Sequence, residues 1–195
     1  MRLSQLLLDA KMPHIESKMI GGVMHIKVLG QLHDLSRMAF ETHDKVSFDT
    51  SSNMLVTLRG SPTKNIVDFD ASNNMLSDLS GTPTKLTGTF NVAHNALTDL
   101  VGLPREIGGS LILDHNDKLT TVFGIQDVQR IGGDLRLNIP IDRLKRVTHL
   151  VLLSHPTRGG DIFTSDKTLN AAFADATDEQ DLADRISALG YIPYN

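Results

Sequence analysis

Carboxylates recur along the chain at spacings that bring them together. Asp68 and Asp70 stand two residues apart, Asp49 precedes Asp70 by 21 residues, and Asp114 and Asp134 follow farther on. Residues two apart on a strand share a face. Adjacent carboxylates of this kind do acid–base work or hold a cation. Acid catalysis also requires enclosure and a raised pKa, which an open strand face does not supply. Solvated acids on a binding surface are therefore the expectation, with no catalytic residue assigned.

Histidine gives a second constellation. Of eight histidines, His94 and His115 occupy one column, each a residue before an asparagine, Asn95 and Asn116. Stacked chain segments would bring the two rings within about 5 Å. Neighbouring columns offer no third ligand, and the other histidines lack ligand spacing, so no metal site is expected. The segment His155-Pro156-Thr157-Arg158-Gly159-Gly160 superficially resembles a phosphate loop but lacks the Gly-Lys-Ser/Thr ending. Neither a Gly-x-Ser-x-Gly elbow nor a kinase signature occurs. With no cysteine in the chain, disulfides, thiolate metal sites and a cysteine nucleophile are excluded. The reading is a non-enzyme without cofactor.

The elements that must position these side chains form a repeat. Residues 48–62 read FDTSSNMLVTLRGSP, 69–83 read FDASNNMLSDLSGTP and 90–104 read FNVAHNALTDLVGLP, a period of 21. Phe48, Phe69, Phe90 and Leu111 share a column, as do Asn53, Asn74, Asn95 and Asn116. Gly60, Gly81 and Gly102 each precede a proline by two residues. An Ile-Gly-Gly lead-in appears at 20–22, 107–109 and 131–133. Two looser units, aligned on Met24 and Leu111, put the next strand 24 residues on. Strand starts are expected near 24, 48, 69, 90, 111, 135 and 150.

A unit this short cannot bury its apolar side alone, so units must stack, with parallel strands over one continuous core. An asparagine amide at the end of each strand can satisfy both N–H and C=O groups of the bend. Asn53, Asn74, Asn95 and Asn116 are read as this buried ladder. The expected fold is an α/β solenoid with a parallel sheet on its concave face, a largely irregular convex side and helical caps at both ends. Residues 1–19 are read as an N-terminal helical cap, with Leu3, Leu6, Leu7 and Ala10 on one face. Residues 20–153 are read as the solenoid, and 154–195 as a loop and C-terminal helical cap, with Thr177 and Gln180 opening its second helix as a capping box.

The column pattern of two strand hydrophobes, Asn, Leu two residues later and Leu three after that resembles a leucine-rich repeat. The short units with a Gly-x-Pro tail and Ile-Gly-Gly lead-in are similar to leucine-rich-repeat proteins encoded by bacteriophages. Bacterial effectors with 20-residue repeats are a second relative, but the cysteine of their ligase branch is missing here. The resemblance implies a protein-binding module, cytoplasmic in an infected host cell, that engages a host or phage protein through the concave residues Asp49, Asp68, Asp70, Asn91, Ile112, Asp114, Asp134 and Arg136. A structural or assembly role, as a minor virion protein or self-associating subunit, is the alternative. An effector-like repeat protein without ligase activity is another.

Charge and hydropathy narrow the partners further. The formal net charge is −4, which argues against a general nucleic-acid binder. Arg143, Lys145, Arg146 and Arg158 make residues 139–159 locally basic, but no aromatic residue interleaves there to stack on a base. They are read as internal partners for the acidic C-terminal stretch. The longest apolar runs, such as Leu150–Leu153, are far too short to span a membrane.

Overall fold

The computed structural model describes residues 13–38, 40, 44–139, 144 and 147–191. The chain is a β-solenoid of about five turns on a parallel sheet, with few helices. Twelve strands are described, in two sheets. The main sheet has the order β1-β2-β3-β4-β6-β8-β10-β12. Its strands are β1 (His14–Ile20), β2 (Val23–Leu29), β3 (Lys45–Asp49), β4 (Ile66–Asp70), β6 (Phe90–Asn91), β8 (Leu111–Ile112), β10 (Leu135–Leu137) and β12 (Ile162–Thr164). All neighbours are parallel except β1 and β2, which form an antiparallel hairpin.

From β2 onward the main-sheet strands form because they set core side chains beside ones that reach solvent. Val46 and Phe48, Phe69, Phe90, Leu111, and Leu135 and Leu137 are buried, and Leu55, Leu58, Leu76, Leu79, Leu97 and Leu100 fill the space behind them. The phenylalanines stack from coil to coil, with ring centroids 5.2 Å apart for Phe48–Phe69 and 5.6 Å for Phe69–Phe90.

The far side of the coil is less irregular than expected. Strands β5 (Lys85–Leu86), β7 (Glu106–Ile107), β9 (Arg130–Ile131) and β11 (Thr157–Arg158) make a second, four-stranded parallel sheet. The Ile-Gly-Gly lead-in explains it. Ile107 and Ile131 are buried strand residues, and the glycines after them turn the corner into the main sheet. A Cβ on Gly108 or Gly132 would overlap the backbone of the preceding coil. The same tripeptide at 20–22 does something else. Gly21 and Gly22 have φ of 57° and 78° and form the open hairpin turn between β1 and β2.

Two other expectations change. Residues near 150 are not a strand, because Val147–Leu152 form helix α1, with Leu150 and Leu153 buried. The strand that follows β10 is β12, 27 residues after Leu135, with Leu135 paired to Ile162. Its lead-in is Arg158-Gly159-Gly160, where Gly159 packs on Gly132, so this segment is a coil corner. At the N-terminal end, His14–Ile20 is a strand and not part of a helix. The helical face of Leu3, Leu6, Leu7 and Ala10 lies outside the described residues. Beyond β12 come α2 (Lys167–Asp175) and α3 (Glu179–Ala188). Asp166 caps α2, and Asp178, rather than Thr177, caps α3.

Candidate functional site

The turn at the end of each strand sets up the exposed face of the main sheet. Asn74 shows the ladder in full. Its Nδ2 donates to the carbonyls of Thr50, Ala71 and Ser72 at 3.0, 3.1 and 3.2 Å, and its Oδ1 accepts from Leu55 N at 3.0 Å. Asn95 repeats the pattern one coil on. Asn116 is fully buried and bonds to Val92, Leu113 and Leu97. Asn53 donates to Val28, Thr50 and Ser51, while its Oδ1 lacks a partner among the described residues. The residue before each ladder asparagine is left-handed: Ser52, Asn73, His94 and His115 have φ between 55° and 58°. Small polar residues and histidine are enriched in that conformation. His94 and His115 therefore belong to the turn column, and their rings stack at 4.3 Å between centroids. Among the described residues no group of three or more ligating side chains gathers around them or elsewhere.

One row of side chains crosses the sheet on its exposed face. Register pairs Lys27 with Asp49, Asp49 with Asp70, Asp70 with Asn91, Asn91 with Ile112, Ile112 with Arg136 and Arg136 with Phe163. Seven strands at about 4.8 Å spacing make this row roughly 29 Å long. Every member reaches solvent, and Phe163 is 44% exposed.

The polar members of the row are held in place. Lys27 Nζ lies 2.7 Å from Asp49 Oδ2, while Asp49 Oδ1 accepts from the Ser51 amide and hydroxyl. Partial burial works to raise the Asp49 pKa, but the bonds from Lys27 and Ser51 outweigh it and hold the carboxyl below the usual aspartate range. The same hydrogen bond raises the Lys27 ammonium above its ordinary value. Asp70 accepts from Ser72 N at 2.9 Å and from Asn91 Nδ2 at 3.1 Å, and Asn91 Oδ1 accepts from Ala93 N. Strands β3, β4 and β6 thus each end in an Asx turn. A groove of about 620 Å³ lies over this end, bordered by Glu16, Lys18, His25, Lys27, Asp49 and Asp70.

The remaining carboxylates are not free solvated acids. Asp68 Oδ1 accepts from Thr89 N at 2.8 Å, and Asp134 Oδ1 from Asp161 N at 3.1 Å, each tying its corner to the next coil. Asp114 is nearly covered; it accepts from Asn138 N at 2.7 Å and faces Arg136 Nε at 3.4 Å. The sheet therefore brings Asp49, Asp70, Asn91, Ile112 and Arg136 into one row. It sets Asp68 and Asp134 at the corner and Asp114 at the strand end.

Two members of the row escape the sequence reading. Phe163 was hidden because the last coil is the longest. Its signal was present, since Arg158-Gly159-Gly160-Asp161-Ile162 matches Ile131-Gly132-Gly133-Asp134-Leu135. Lys27 was hidden because the first coil was aligned on Met24, whereas Phe48 pairs with Ile26. Of the basic stretch, Arg158 is described: burial depresses its pKa, and its Nη1 donates to the Leu153 carbonyl at 3.0 Å. Arg143, Lys145 and Arg146 lie outside the described residues. No described helix is long and apolar enough to cross a membrane. No family model, curated protein or solved structure matches the chain.

Proposed function

We propose that the chain is a non-enzymatic, leucine-rich-repeat-type binding module that engages a protein through the exposed face of its main sheet. The observation that carries this reading is the row from Lys27 to Phe163, seven solvent-reaching side chains at fixed spacing on hydrogen-bonded strands. Pre-organisation of this kind lowers the ordering cost of binding. The row is also chemically graded. Asp49 and Asp70 mark one end, suited to a basic or polar partner surface. Ile112, Arg136 and Phe163 mark the other. Arginine beside an aromatic is the composition of interface hot spots, which supplies the anchor that the acidic end lacks. In this reading α2 and α3 close the C-terminal end of the solenoid. The likeness of the repeat to phage-encoded leucine-rich repeats makes a host or phage protein in the infected cell the candidate partner.

The test is affinity purification from the native cell with wild type, Phe163→Ala, Arg136→Glu and a far-side control, Thr120→Ala. Wild type and control should recover the same protein, and the two row variants should lose it. Equal recovery with all four would overturn the assignment of the face.

A further inference from the structure

The two edges of the main sheet are finished differently. At the C-terminal edge, Asn170 in α2 covers β12. Its Oδ1 accepts from Thr164 N at 2.7 Å and its Nδ2 donates to the Thr164 carbonyl at 3.3 Å. This amide takes up, at Thr164, the pair of bonds that a further strand would make there, so the end of that short edge strand is capped. At the N-terminal edge, β1 is seven residues long and exposed throughout. Among the described residues, the backbone of His14–Ile20 makes no hydrogen bond outside its ladder with β2. Ile15 and Met19 lie opposite Val28 and Met24, on the core side of the sheet, yet are 44% and 51% exposed. A long, open strand carrying apolar side chains is a template for another strand.

The sequence of that strand, HIESKMI, is complementary to itself when reversed about Ser17. Antiparallel pairing of two copies about a two-fold axis at Ser17 sets Glu16 opposite the second copy's Lys18, and Lys18 opposite its Glu16. It also sets Ile15 opposite Met19 on the core side, and His14 opposite Ile20 on the other. Opposite charges and apolar pairs directly across from one another are the stabilising cross-strand combinations. We infer that the occupant of this edge is a second copy of the chain, giving a two-fold dimer in which β1 pairs with β1 and the two main sheets become one. A β1–β1 pairing about a two-fold axis uses the same edge of both copies, so this contact closes on itself at two chains.

The charge pair makes the inference testable without removing a strand. In Glu16→Lys, lysine meets Lys18 twice across the axis; in Lys18→Glu, glutamate meets Glu16 twice. Each variant should weaken the dimer by about tenfold or more. The double swap, Glu16→Lys with Lys18→Glu, restores both pairs. A mixture of the two single variants restores them between unlike chains. Analytical ultracentrifugation should give twice the 21.4 kDa chain mass for wild type, the swap and the mixture. Each single variant should sediment toward the monomer at the same concentration, with circular dichroism melts showing that all are folded. A monomeric wild type overturns the inference. So does a dimer indifferent to both reversals, which uses another surface, or a mixture that stays monomeric.

Discussion

Replacing Asn116 by leucine should cost the protein about twice as much stability as the same change at Asn74. The two asparagines occupy one column, so repeat position alone predicts equal effects. The hydrogen bonds predict otherwise. Removing the Asn74 amide leaves Thr50 O still bonded to Asn53, Ala71 O to Asn95 and Ser72 O to Ser52 N. Only Leu55 N loses its acceptor. Removing the Asn116 amide leaves Val92 O bonded to Asn95, but strips Leu97 N and Leu113 O together. No further ladder asparagine is described to take over Leu113. At about 2 kcal/mol for each orphaned buried group, the losses are about 2 kcal/mol for Asn74→Leu and about 4 kcal/mol for Asn116→Leu. For a chain of this size they correspond to falls in Tm of about 6 °C and about 12 °C. Leucine is close to asparagine in shape, so packing changes are small at both sites. Urea titration followed by circular dichroism, with thermal melts alongside, measures both. Equal losses, or a larger loss at Asn74, would refute the view that neighbouring coils share the ladder carbonyls.

Glycine substitutions separate backbone strain from crowding. Gly81 and Gly190 have φ of 100° and 88°, but a Cβ on Gly81 overlaps the Leu58 backbone, whereas Gly190 has open space. Gly190→Ala should cost about 1 kcal/mol and Gly81→Ala at least about 3 kcal/mol, read from urea midpoints. Asn170→Ala should release the C-terminal edge, so that the Thr164 amide exchanges with deuterium faster while amides in the Phe48–Phe90 region keep their protection. Asp49 should contribute to acid sensitivity. Its folded pKa lies below that of the unfolded chain, so its stabilisation is present above the unfolded value of about 3.9 and is lost as pH falls through the folded one. The urea midpoint of wild type should therefore drop more steeply below about pH 4 than that of Asp49→Asn.

How far a feature is legible in the sequence depends on how local its cause is. The ladder is legible because four asparagines in one column have a single physical use, which is to satisfy a bend that every coil repeats. The Phe48, Phe69 and Phe90 column is legible for the same reason. The second sheet is less so, because its strands are two residues long and the Ile-Gly-Gly signal that marks them also suits a hairpin, as Ile20-Gly21-Gly22 shows. The helix at Val147–Leu152 is not legible because a short apolar run has no period of its own. The helix there still delivers its apolar residues to the core, since Leu150 and Leu153 are buried. The roles of Asp68 and Asp134 were illegible, since their partners are backbone amides a full coil away, at Thr89 and Asp161.

Coil length varies while the sheet does not. Successive strands are 21 residues apart from Phe48 to Leu111, then 24 to Leu135 and 27 to Ile162, yet each pairs in register with its predecessor. The ladder bonds and strand spacing fix the exposed row, so extra residues must be absorbed elsewhere. In the 24-residue coil one falls between Asn116 and Leu119 and two fall after Gly124, where Ile125–Asp127 form a turn of 3-10 helix. In the 27-residue coil the return path behind the sheet includes α1. The main-sheet face is therefore insulated from changes in length on the opposite side. Ile112, Arg136 and Phe163 stay adjacent although the coils carrying them differ by three residues at each step. A surface whose geometry survives insertions behind it can specialise one side chain at a time, which is what a graded row from Lys27 to Phe163 requires.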